Sequence, residues 1–148
     1  MNTSIIIELK HEYTIQLINI LSPVILEGLQ SIYTNARNSS EKTNILKTFQ
    51  SLLKRIPNWD YNIVNKELSR IELQTKKTPW IFQLIQAVFK VNMLIHNIEP
   101  SEALKNELNI GQFIHFVYIE CAREFWMDPF YFLMNIHLTK SNEIILKL

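Results

Sequence analysis

Apolar residues recur along this chain at intervals of three and four, the spacing that gathers side chains on one side of an α-helix. Ile45, Phe49, Leu52 and Ile56 are the clearest run, and Phe113, Val117, Cys121 and Phe125 form another near the far end. Tyr13, Leu17, Ile20 and Leu21 predict a helix from near Lys10 to Leu21, behind a frayed N-terminus at residues 1–9. Ser22-Pro23 then marks either a kink or a new start, because serine caps orphan amides and proline is tolerated in a first turn. Val24 to Ala36 continues with Ile25, Leu29, Ile32 and Tyr33. Gly28 inside that stretch costs about 1 kcal/mol against alanine, and a close helix contact would account for it.

Asn38-Ser39-Ser40 reads as a loop and cap. Pro57 ends the next helix, since the residue before a proline avoids helical geometry. A further helix, from about Asn58 or Asp60 to Leu73, presents Ile63, Val64, Leu68 and Ile71. Thr78-Pro79 opens Trp80 to Ile98, the most apolar segment and the expected central helix. Glu99 to Ile110 has two readings, a short helix capped by Ser101 with Leu104 and Leu108 inward, or a polar connection. Gly111 precedes the last clear helix, which runs to about Met127, and Asp128-Pro129 stops it. Gly28 and Gly111 are the two glycines, and no Asn-Gly or Asp-Gly pair occurs, so the tight turns of a strand-rich domain are missing. The pattern predicts an all-α fold, an irregular bundle of about five to seven helices in a single domain over residues 1–148, with an apolar C-terminal segment at 130–148.

Composition changes this picture only by excluding alternatives. At 148 residues, 47% apolar and 11% aromatic, the chain has the size of one domain and can bury a substantial core. A single cysteine, Cys121, rules out an internal disulfide, and the N-terminus shows no secretory signal. Trp80 to Ile98 carries Gln83, Gln86, Lys90, Asn92, His96 and Asn97, polar groups that suit a buried helix and not a membrane span. A reducing compartment is therefore expected. Fifteen basic and fourteen acidic residues nearly cancel, but unevenly. Arg37 to Lys77 holds nine basic residues against four acidic, and Glu99 to Asp128 six acidic against two basic.

No catalytic, cofactor-binding or metal-binding set emerges. His115 and Cys121 point to different faces of one helix, and His11, His96 and His137 are scattered, whereas zinc needs converging ligands. Cys121 lies on the apolar stripe of its helix and reads as a structural thiol. Two glycines 83 positions apart cannot form a phosphate-cradling loop. Glu120 and Arg123 have ordinary ion-pair spacing. The stronger hint is basic: Lys47, Lys54 and Arg55, then Lys66, Arg70, Lys76 and Lys77, could together neutralise phosphates of a nucleic acid. Trp59 and Trp80 could stack on bases or anchor helix starts in the core. At the C-terminus, Phe130, Tyr131, Phe132, Leu133, Met134 and Ile136 crowd into seven positions. Some of these must fold back on the domain. The remainder, with Phe130, Tyr131, Phe132, Leu133 and Ile136 as candidates, would form a partner interface.

Three stretches carry a family resemblance: Leu21-Ser22-Pro23 with Glu27-Gly28-Leu29-Gln30-Ser31-Ile32-Tyr33, then Phe49-Gln50 through Arg55-Ile56-Pro57-Asn58-Trp59, and Phe113-Ile114-His115 through Tyr118, Cys121-Ala122-Arg123-Glu124, Trp126 and Pro129. With them the chain resembles an uncharacterised family of nucleocytoplasmic large DNA viruses, the giant viruses. The resemblance implies a viral protein in the host cytoplasm or the virion, and no activity to carry onto any residue. It also implies family members that continue well beyond Pro129, whereas this sequence ends at Leu148. The expected function is non-enzymatic: an interaction or assembly protein, virion- or capsid-associated, whose partner is a viral or host protein. The alternative is a nonspecific nucleic-acid-associated factor using the basic face between Arg37 and Lys77.

Overall fold

A proline in the middle of a helix removes one backbone donor and crowds the preceding turn, at a cost of about 3 kcal/mol. The first helix of this protein nevertheless continues past Pro23. The computed structural model describes residues 3–96 and 110–133, and α1 extends unbroken over Thr3–Ser39. The new start allowed at Ser22-Pro23 is thus not taken, and the two stretches form one helix. The reason is tertiary. Leu17, Leu21, Ile25 and Leu29 line one buried side of α1 across the proline, and each fully buried side chain of this size contributes about 1.5–3 kcal/mol. Pro23 itself faces solvent. Ser22 caps nothing, because its side chain is buried, with no hydrogen-bond partner for Oγ among the described residues. The helix also begins earlier than Lys10. Ile6 is buried, and Lys10 Nζ donates to Asn92 Oδ1 at 3.0 Å, so residues 3–9 are helical rather than frayed.

A 3₁₀ turn at Lys42–Asn44 leads into α2, Ile45–Arg55, and a second at Ile56–Asn58 contains Pro57. Phe49, Leu53 and Ile56 are buried there, while Leu52 is only half-buried. Helix α3, Tyr61–Gln74, starts at Asp60, whose Oδ1 accepts from Ile63 N–H at 2.9 Å. This is the capping geometry that satisfies one orphan amide. Ile63 itself, expected inward, is exposed, whereas Val64 and Ile71 are buried. Helix α4 covers Ile81–Ile95, so Trp80 stands before it and is exposed; no side chain caps it. Helix α5, Ile110–Met127, contains Gly111 in its first turn, and α6, Pro129–Leu133, follows immediately. Both readings of Glu99 to Ile110 fall almost entirely on residues 97–109, outside the described residues.

Among the described residues the protein is therefore all-α, six helices and no strand. Helix α4 packs most extensively on α1, α2 lies on α1 and α5, and α3 touches α5 and α1. The core draws more buried side chains from α1 and α5 than from α4, which its hydropathy had marked as central. Phe113, Ile114, Val117, Tyr118, Cys121 and Phe125 all turn inward there from α5. Helix α1 is also the described helix that is long and apolar enough to cross a membrane, but 44% of its most apolar window is already buried inside the fold. Its greasy side serves the core.

Candidate functional site

The seven basic residues singled out above are spread over α2, α3 and the turn that follows it. Lys47, Lys54 and Arg55 project from α2, exposed. Lys66 is on α3, where it lines an open depression with Asn62, Asn65 and Ser69. Lys76 and Lys77 occupy the turn after α3, also exposed. Arg70 departs from the expectation altogether, because its donors are spent inside the protein. Nη2 reaches the Val24 carbonyl at 2.8 Å, Glu67 Oε2 at 3.0 Å and Tyr118 Oη at 3.0 Å. Nε donates to the same Glu67 carboxylate, and Nη1 lies 3.6 Å from Glu27 Oε2.

That arrangement is a polar knot where α1, α3 and α5 meet. Tyr118 is 0% exposed, and its hydroxyl donates to Glu67 Oε2 at 2.5 Å. Gly28 makes the approach possible. A Cβ at that position would overlap the Tyr118 hydroxyl and lie 3.0 Å from Arg70 Nη2, so the close contact anticipated for this glycine is real. The next turn of the same surface is aromatic. Trp59 packs on Tyr118 at 5.1 Å between ring centroids and stacks on His115 at 6.0 Å. His115 Nε2 sits 2.7 Å from the Ile56 carbonyl, which requires the proton on Nε2 if that nitrogen is the donor. Trp59 therefore anchors a helix start against the core, and Cys121 is buried.

Electrostatics mark the knot as architecture. Burial, then the charge of Glu67 and the hydrogen bond to it, push the Tyr118 phenol far above its usual range, with Arg70 opposing. For Arg70, burial pulls downward but the hydrogen bond to Glu67 and the surrounding negative charge outweigh it, so the guanidinium stays firmly protonated. A phenol whose folded pKa is raised contributes stability that is complete below its unfolded value, near pH 10, and is lost as pH rises beyond it. Wild type should lose about 1.4 kcal/mol per pH unit more steeply than Tyr118→Phe above about pH 10. Urea denaturation from pH 9 to 11 checks this, and parallel pH profiles for the two proteins would contradict it.

The C-terminal end divides the residues expected at an interface. Phe132 is 4% exposed and belongs to the core, with its ring 5.1 Å from Phe49, 5.5 Å from Tyr33 and 5.5 Å from Phe125. The short helix explains this correction, since it turns residue 132 inward and leaves residues 130 and 133, one turn apart, on the other side. Phe130 is 59% exposed and Leu133 42%. Tyr131 lies in the helix between them, and Met134, Ile136 and the rest of 134–148 fall outside the described residues. Two neighbours that the sequence reading left out join the exposed pair. Trp126 and Met127, at the end of α5, are also exposed. The proline at 129 interrupts the periodicity that would have linked them to Phe130. Lys54 Nζ lies 5.2 Å from the centroid of the Trp126 ring, within cation–π range, and Gln50 Nε2 donates to the Trp126 carbonyl at 2.8 Å. The Glu120–Arg123 pair forms as its spacing implies, at 3.2 Å.

Among the described residues no group of three His, Cys, Asp or Glu side chains is placed to hold a metal ion. The model of a family of unknown function, DUF5764, matches residues 3–133. No curated protein and no solved structure matches the chain.

Proposed function

The chain belongs to the DUF5764 family, a family of unknown function, and from that premise we propose that it is a non-enzymatic interaction or assembly protein. We place it in a large DNA virus, acting in the host cytoplasm or as a virion- or capsid-associated component, with a viral or host protein as partner. The observation that carries this reading is the corner where α5 meets α6, with Trp126, Met127, Phe130 and Leu133 exposed side by side in sequence and anchored from beneath by Phe132. Clustered exposed apolar side chains, aromatics and methionine among them, are what protein-binding surfaces present. The viral setting rests on the three resembling stretches, which meet in the fold: Gly28, Trp59, His115 and Tyr118 come from all three and lie around one knot.

The test compares tagged full-length protein with the double variant Phe130→Ser, Leu133→Ser in infected cells, alongside proteomics of purified virions. Wild type should capture a defined partner or be packaged, and the variant, equally stable, should lose that association at least about tenfold, as expected when central apolar contacts are removed. Association that is indifferent to both substitutions would overturn the reading.

A further inference from the structure

The apolar corner has a charged border, and on its α2 side the charges are all basic. Along α2, Lys47, Gln50 and Lys54 are spaced by one turn, and Gln50 and Lys54 both reach Trp126. Arg55 follows Lys54 in sequence, and Arg123, one turn before Trp126 on α5, adds a further cation already bridged to Glu120. Lys47, Lys54 and Arg55 are exposed and have no carboxylate partner among the described residues. The carboxylates near this end are Glu120, paired with Arg123, and the half-buried Glu124 and Asp128. Among the described residues Lys54 therefore meets the apolar side chains without a carboxylate partner, and Lys47 and Arg55, on the same helix, have none either.

We infer that this corner docks an acidic amphipathic segment of a partner protein, with apolar side chains against Trp126, Met127, Phe130 and Leu133 and carboxylates toward Lys47, Lys54 and Arg55. The inference rests on the interaction reading above and specifies the chemistry of the partner. Charge complementarity selects the sign of that segment, since like charges in apposition are costly and opposite charges steer the encounter. A nucleic acid fits less well. Phosphates would meet the cations, but Met127, Phe130 and Leu133 offer a backbone nothing, and one face of Trp126, the ring best placed to stack on a base, is already covered by Lys54. A lysine held over an aromatic ring presents its ammonium to a carboxylate while its stem adds to the apolar surface.

The experiment titrates the full-length chain calorimetrically with three probes. One is a short helical peptide with a leucine stripe flanked by glutamates, the second its twin with lysines for glutamates, and the third a single-stranded oligonucleotide. The glutamate peptide should bind at least about tenfold more tightly than the lysine twin and weaken as salt is raised. Lys47→Glu with Lys54→Glu should abolish that preference, Phe130→Ser with Leu133→Ser should abolish binding, and Lys66→Glu on α3 should change neither. Equal affinity for the two peptides, indifference to the α2 reversals, or tighter binding of the oligonucleotide at this corner would overturn the inference. So would displacement of the glutamate peptide by a synthetic peptide of residues 134–148, or dimerisation of the chain that Phe130→Ser with Leu133→Ser abolishes. Loss of the natural association on removing Phe130 and Leu133, with no effect of the α2 reversals, would leave the interaction reading standing while this inference falls.

Discussion

Gly28→Ala should destabilise the protein by about 2–4 kcal/mol, even though alanine is the better helix former. Propensity favours the substitution by about 1 kcal/mol. Against that stands a methyl group occupying the space of the Tyr118 hydroxyl. Tyr118 cannot swing aside, because its ring is fully buried and packed on Trp59. Overpacking a well-filled site costs about 1–3 kcal/mol, and losing one of the hydroxyl's hydrogen bonds to a charged carboxylate and a guanidinium costs about 1.5–3 kcal/mol more. Urea denaturation measures the loss. The double variant Gly28→Ala, Tyr118→Phe makes the mechanism visible, since removing the hydroxyl from a protein that already carries the extra methyl group should cost about 1–3 kcal/mol less than removing it from wild type. Strict additivity of the two substitutions would show that the methyl and the hydroxyl do not compete.

The second large effect is at Phe132. Its replacement by alanine should cost about 3–5 kcal/mol, the usual range for emptying a buried phenylalanine site, because three aromatic rings close around it. Phe130→Ser, two residues earlier, should stay within about 0.5 kcal/mol of wild type, as exposed positions do. The contrast tests whether α6 is welded to the bundle. A Phe132→Ala protein as stable as wild type would mean that the helix detaches without consequence, and the exposed corner with it.

These two sites illustrate how far local pattern reaches. The stripe from Phe113 to Phe125 and the start of α3 at Asp60 were legible because spacing and capping are decided within a few residues. At Ser22-Pro23 the same local signals allowed a kink or a new start, and the new start did not form. The local signal for a boundary was sound, but burial of Leu21 and Ile25 against distant helices outweighed it. Gly28 announced a close contact without naming what approached it. Glu67 and Tyr118 are 51 residues apart, and no periodicity connects them. Arg70 looked like one more cation on a basic face until the fold set three acceptors around its Nη2. Lys54 and Trp126 were each visible, but their pairing belongs to the packing of α2 on α5.

The length of α1 has a consequence for how the chain comes together. A helix of 37 residues is roughly 55 Å long at about 1.5 Å per residue, and it touches α4 near its start, α3 near its middle and α2 near its end. Its most extensive partner, α4, begins only at Ile81, so α1 is synthesised first and secured late. Contacts of such long sequence separation close slowly. Once closed, one continuous helix spans the separate docking surfaces. Amides in the middle of α1 should therefore exchange with solvent only through global unfolding, and their protection, followed residue by residue, would show the bundle opening as a single cooperative unit or in halves.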